Sequence, residues 1–134
     1  LTVWRRRFSP TSTTDIASAI LAVAQQVDCD ANVWGTYHYS GLEIKKEIEF
    51  ARQVLKYAAN HDEEIYQLLD NTKIRENLPR LPELPNSTLS SKKIFDTFGI
   101  KQKSWHGDLK ETIKTLYVGR LRTERDESES DITL

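Results

Sequence analysis

One cysteine, no methionine and five glycines among 134 residues set the first limits on this chain. The single Cys29 excludes an internal disulfide and any multi-cysteine zinc site. It suits a reducing compartment, so a cytoplasmic location is the expectation. The glycines, at positions 35, 41, 99, 107 and 119, are too scattered for G-x-G-x-x-G or a P-loop. A backbone that cradles phosphates closely needs clustered glycines, so neither nucleotide fingerprint is present. No apolar run approaches the roughly 20 residues a membrane helix needs. No segment has the basic, apolar, small-residue order of a secretory signal. With 19 basic and 20 acidic side chains the formal net charge is -1. That balance argues against nucleic-acid binding through bulk charge. Neither a membrane nor a nucleic acid is therefore an expected partner. The chain opens at Leu1, which reads as a processed, trimmed or partial chain. Its length suits one domain, or one lobe of a larger one.

Catalytic signatures are missing as well. His38, His61 and His106 lack metal-ligand spacing, there is no H-E-x-x-H, and each histidine reads as structural. Cys29 lies between Asp28 and Asp30, an acidic setting unsuited to a thiolate nucleophile. No G-x-S-x-G elbow occurs. A Tyr-x-x-x-Lys pair would set a tyrosine acid one helical turn from its lysine. Here the residues four beyond the tyrosines are Gly41, Glu43, His61, Asp70 and Leu121. On its own residues the chain shows no catalytic centre and no metal or cofactor site.

What is present is α/β punctuation. Residues 1–8 read as a short strand or extended arm carrying Arg5, Arg6 and Arg7. This triplet is a solvated face in the simpler reading and a phosphate-binding patch in the sharper one. Pro10 ends the arm, and Thr13 or Thr14 is expected to cap a helix over 15–26. Ile16, Ile20, Val23 and Val27 form its apolar stripe. Residues 33–40, rich in aromatic and β-branched types, predict a strand in which His38 faces opposite Tyr37 and Tyr39. A second helix is expected over 42–60, with Ile44, Ile48, Ala51, Leu55 and Ala58 inward. Residues 61–69 fit either a helix or a loop and strand. The segment after Pro79, with Pro82 and Pro85, must be extended and irregular. Ser90 or Ser91 then caps a short helix that ends at Gly99. A last helix opens near Trp105, with Leu109, Ile113 and Leu116 inward. Residues 119–134 are dense in charge and are expected to form a disordered tail.

Three segments in order resemble the C-terminal half of the dTDP-4-dehydrorhamnose reductases, within the extended short-chain dehydrogenase/reductase family. The first is Phe8-Ser9-Pro10-Thr11 leading to Thr14-Asp15-Ile16-Ala17. The second is Gly35-Thr36-Tyr37-His38, followed by a helix containing Glu49-Phe50-Ala51. The third is Pro85-Asn86-Ser87-Thr88-Leu89, then Lys92-Lys93-Ile94, Phe98-Gly99-Ile100 and Trp105. The similarity covers about residues 1–118. It implies an α/β fold: the small C-terminal lobe of such an enzyme, helices with a few short strands, its Rossmann half missing.

The resemblance also implies a function. The whole enzyme uses NADPH or NADH to reduce dTDP-4-dehydro-L-rhamnose to dTDP-L-rhamnose, a precursor of cell walls and O-antigen. Its Rossmann half carries the glycines and the Tyr-x-x-x-Lys pair that this chain lacks. The chain would then bind the nucleotide sugar through Asn86, Ser87 and Arg80, bind no cofactor and be inactive alone. The alternative role for Asn86 and Ser87 is to fix the proline-rich turn through local backbone bonds. Trp105 reads as a core anchor in preference to a stacking platform. Two departures stand out. Glu83 occupies the place of an arginine that could pair with a diphosphate, and Arg5-Arg6-Arg7 replaces an acidic-polar stretch. A lobe without its Rossmann partner is expected to expose apolar surface and self-associate. The rival reading is a stand-alone regulatory or binding module, because a related branch serves as a non-catalytic subunit.

Overall fold

The computed structural model describes residues 1–29, 31–71, 75–78 and 84–130. The arm forms two short strands, β1 (Thr2–Trp4) and β2 (Arg7–Phe8). Next come helix α1 (Thr13–Val27) and a 3-10 turn (Ala31–Val33). Strand β3 (Lys45–Lys46) runs directly into helix α2 (Glu47–Ala58). Helix α3 (Glu63–Asn71), strand β4 (Arg75–Asn77), helix α4 (Lys92–Phe98) and helix α5 (His106–Ser130) complete the order. This is the mixed, mainly helical fold with a few short strands that the sequence predicts.

The strands form two separate pairs. β1 lies parallel to β4, with Val3 opposite Glu76. β2 lies antiparallel to β3, with Arg7 opposite Lys46 and Phe8 opposite Lys45. Two-stranded pairs are marginal in water, so helices must hold them. α2 does most of this, packing on β1, β3, α3 and α5. Phe50 on α2 makes edge contacts with Phe8, at 5.4 Å between ring centroids, and with Trp105, at 5.3 Å. Trp105 is buried and stacks on His106 at 3.8 Å, so it anchors the core. Val3, Ala19, Ala58, Ile94, Phe98 and Ile113 are also buried. No large side chain among the described residues is wholly closed to solvent, so the core is thin.

Several predicted elements are corrected. Residues 33–40 form no strand, although half-buried Tyr37 and Tyr39 do alternate with exposed His38. A strand is defined by a hydrogen-bonded neighbour, and the described residues offer this segment none. α2 starts five residues later than predicted, because Lys45 and Lys46 are drawn into pairing with β2. Ile44 is exposed in consequence. On α1 the buried face is Asp15 and Ala19, while Ile16 and Ile20 are exposed. Leu116 is also exposed, and Tyr117 takes the inward place one residue on. The reading of residues 119–134 as a disordered tail differs from a backbone that is helical to Ser130. No proline interrupts that stretch, and its glutamates and arginines are good helix formers. Residues 131–134 lie outside the described residues.

Candidate functional site

The three motifs converge on one junction. Ser9-Pro10-Thr11 turns the chain from β2 into α1, and Thr11 Oγ1 donates to the Ser9 carbonyl at 3.0 Å. The Gly41 amide donates to the same Thr11 oxygen at 2.8 Å. The buried Ser40 amide donates to Ser91 Oγ at 3.1 Å. Gln102 Nε2 reaches the Ser40 carbonyl at 3.0 Å and the Gly41 carbonyl at 3.1 Å. Gly41 is required here, since a Cβ would stand 2.0 Å from the Pro10 carbonyl oxygen. None of these long-range bonds is visible in the sequence, because their partners come from three separate segments.

A second cluster locks α1 to the same junction. Ser12, not Thr13 or Thr14, is the N-cap, and its Oγ accepts from the Asp15 amide at 3.1 Å. Asp15 is buried, and its carboxylate accepts from the Tyr39 hydroxyl at 2.7 Å. Lys103 Nζ lies 3.3 Å from the other carboxylate oxygen. Burial, then the hydrogen bond to Asp15, then the charge of Asp15 push the Tyr39 phenol well above its ordinary range. Tyr39 and Lys103 thus tie their segments to the start of α1 through Asp15.

The predicted site residues fall beside the arm. Asn86 forms a parallel bridge with Arg7. The Arg7 amide donates to the Pro85 carbonyl at 2.9 Å, and the Ser87 amide donates to the Arg7 carbonyl at 3.0 Å. Asn86 Oδ1 accepts from the Thr88 amide at 3.2 Å and from its hydroxyl at 2.9 Å, a local Asx turn. Among the described residues Ser87 Oγ makes only a long bond, 3.4 Å, to the Arg7 carbonyl. Both residues are exposed. The turn-fixing role is therefore realised for Asn86, while its amide nitrogen has no protein acceptor among the described residues. Arg80 lies outside the described residues, as does Glu83.

Two concavities flank these residues. One, of about 560 Å3, lies beside Ser9, Leu42, Leu89, Ser91, Phe95 and Gln102. The other, of about 340 Å3, is lined by Arg5, Arg6, Arg7, Lys46, Glu76 and Pro85. Sequence reasoning proposed the arginines but missed Lys46, which reaches them only through the β2–β3 register. A larger open groove of about 800 Å3 runs along α1 between Ile16, Ile20, Val23, Trp34, Tyr37 and Ile94. Among the described residues no three His, Cys, Asp or Glu side chains are placed to hold a metal ion. No helix there is long and apolar enough to cross a membrane.

The fold and sequence have clear relatives. A family model described as the RmlD substrate binding domain matches residues 2–118. A crystal structure of a dTDP-4-dehydrorhamnose reductase, an RfbD ortholog from Clostridium acetobutylicum, is similar with a TM-score of 0.61 and 26% identity. The similarity covers 87% of this chain and 38% of that one, so the chain corresponds to a part of the reductase. No curated protein matches significantly. The same partial fold, joined at the junction of its three motifs, and a match over nearly the whole described length lead to one conclusion: the chain belongs to the RmlD substrate binding domain family.

Proposed function

We propose that this chain is the nucleotide-sugar-binding part of an NAD(P)H-dependent reductase that converts dTDP-4-dehydro-L-rhamnose to dTDP-L-rhamnose. The supporting observation is the match of residues 2–118 to the RmlD substrate binding domain, whose three motif-bearing segments are tied into one packed junction by Thr11, Ser40, Gly41, Ser91 and Gln102. When bound, NADPH or NADH supplies a hydride to the C4 ketone. The residues present do not fit that dinucleotide. Gly41 is the glycine that meets backbone most closely, and what it meets is the protein's own Pro10 carbonyl. In this reading the hydride and the proton come from a part of the enzyme beyond the substrate binding domain.

The chain's own contribution is to bind and orient the nucleotide sugar. Asn86 offers its amide nitrogen, Ser87 its hydroxyl and Arg80 a guanidinium from the same proline-rich segment. The open apolar groove along α1 takes the missing part of the enzyme, and in its absence drives self-association. The reaction is placed in the cytoplasm, where NAD(P)H and nucleotide sugars are found.

An NMR titration of the full chain with dTDP-L-rhamnose tests the reading. The amides of Arg7, Ser87 and Thr88 should shift saturably, and the chain alone should leave NADPH unconsumed in the presence of the 4-keto sugar. Absence of shifts at millimolar ligand, or steady NADPH turnover by the chain alone, would overturn it.

A further inference from the structure

The basic concavity beside Asn86 has a charge arrangement that packing does not explain. Arg7 and Lys46 stand directly opposite each other across the antiparallel β2–β3 pair. Directly opposed residues share a face, and like charges there are destabilising. Counter-charges nearby are already engaged. Arg6 is ion-paired with Glu47, and Arg5 lies 3.8 Å from Glu76. Glu49 accepts from the Lys46 amide at 3.1 Å, at the start of α2. Neither Arg7 nor Lys46 has a carboxylate partner among the described residues. Both are exposed and both line the 340 Å3 concavity, where Glu76 is the one carboxylate among the described residues.

The backbone around this pair is fixed, not loose. Arg7 bonds to Pro85 and Ser87 on one side, and the Glu47 amide donates to the Arg6 carbonyl at 3.1 Å on the other. Arg7 and Lys46 thus line one pocket from a fixed backbone, and Asn86 and Ser87 adjoin Arg7 through the backbone bridge on its other side. Two adjacent cations with flanking neutral donors match a group carrying two adjacent negative charges. A single carboxylate would satisfy one of them, whereas a diphosphate engages both, with Arg able to bind in a two-pronged manner.

We infer that Arg7 and Lys46, with Arg5 at the rim, form a subsite for the diphosphate of a nucleotide-linked ligand. This deepens the function proposed above and rests on it for the nucleotide, but not for the diphosphate. It also gives the arginine triplet a role and supplies the positive charge that Glu83 does not.

Calorimetric titrations at low salt test the subsite with three probes: inorganic pyrophosphate, thymidine diphosphate and uncharged thymidine. Wild type should bind pyrophosphate, and Arg7→Gln and Lys46→Gln should each weaken it at least fivefold. Lys45→Gln removes the same charge from the next position, opposite Phe8, and should change affinity less than twofold. Amide spectra of each variant confirm that its fold is kept. The subsite is overturned if wild type fails to bind pyrophosphate, or if Lys45→Gln weakens binding as much as Lys46→Gln. That second result would mean bulk charge alone. Thymidine diphosphate should bind more tightly than pyrophosphate, and thymidine more weakly than either. Equal binding of the first two, lost in both Arg7→Gln and Lys46→Gln, would uphold the subsite for a free diphosphate while refuting the nucleotide-sugar reading.

Discussion

The Gly41 amide and the Thr11 hydroxyl, 30 residues apart in the chain, meet in a 2.8 Å hydrogen bond that closes the turn into α1 against the end of the Tyr37–Ser40 segment. Thr11→Val removes the acceptor and leaves a buried amide unpaired, at a cost of about 1–3 kcal/mol. Gly41→Ala forces a methyl into the Pro10 carbonyl and should cost about 2–3 kcal/mol. Urea unfolding followed by tryptophan fluorescence measures both. If either variant is as stable as wild type, the junction does not hold the fold.

Capping separates three neighbouring hydroxyl residues. Ser12 accepts the Asp15 amide and also bonds to Asp108 on α5. Ser12→Ala should lower stability by about 1–2 kcal/mol. Thr13→Ala and Thr14→Ala, within the first turn and exposed, should stay within about 0.5 kcal/mol of wild type. Thermal melts of the three variants would reveal a cap at Thr13 or Thr14 if their order were reversed.

Alkaline pH should unfold the chain through its tyrosines. The fold holds the Tyr39 phenol neutral, chiefly by burial, and raises its pKa above the ordinary value of 10.0. Tyr117 shifts the same way, through burial and then the nearby Asp62 charge. A folded-state pKa above the unfolded one gives stability that is complete below the unfolded pKa. It is lost as pH rises towards and through the folded pKa. Melting temperature should therefore be insensitive to these groups up to about pH 10 and fall above it. Tyr39→Phe should be less stable than wild type at neutral pH but flatter above pH 10, as followed by melting temperature and phenolate absorbance together.

The exposed groove along α1 predicts concentration-dependent association. Ile20 is 62% exposed and Trp34 is 77% exposed, an unusual display for two large apolar side chains on one groove. Sedimentation velocity should show a monomer giving way to larger species as concentration rises. Ile20→Glu or Trp34→Ser should shift that equilibrium towards monomer, and an unchanged distribution in both would place the contact elsewhere.

Local signals carried much of the architecture. The end of α4 follows from Gly99, whose φ of 68° is the left-handed C-cap that glycine favours, while Ser91 takes the N-cap position without a side-chain cap, its hydroxyl accepting from Ser40 instead. The extent of α1 is nearly that of its apolar periodicity. The absence of clustered glycines and of a Tyr-x-x-x-Lys pair also followed from spacing alone. Faces were less legible. Ile16 and Ile20 repeat at helical spacing, yet the side of α1 that becomes buried is the one carrying Asp15, because Tyr39 and Lys103 arrive there from elsewhere.

The sequence by itself therefore determined the presence of α1, α4 and the start of α5, the Gly99 stop and the family motifs, since each rests on contacts within a few residues. Only tertiary structure decided that residues 33–40 form no ladder, that Lys46 stands opposite Arg7, and that Thr11, Gly41 and Gln102 share one junction. Pairing, register and charge proximity depend on partners distant in the chain, and no local pattern of residues specifies which partner arrives.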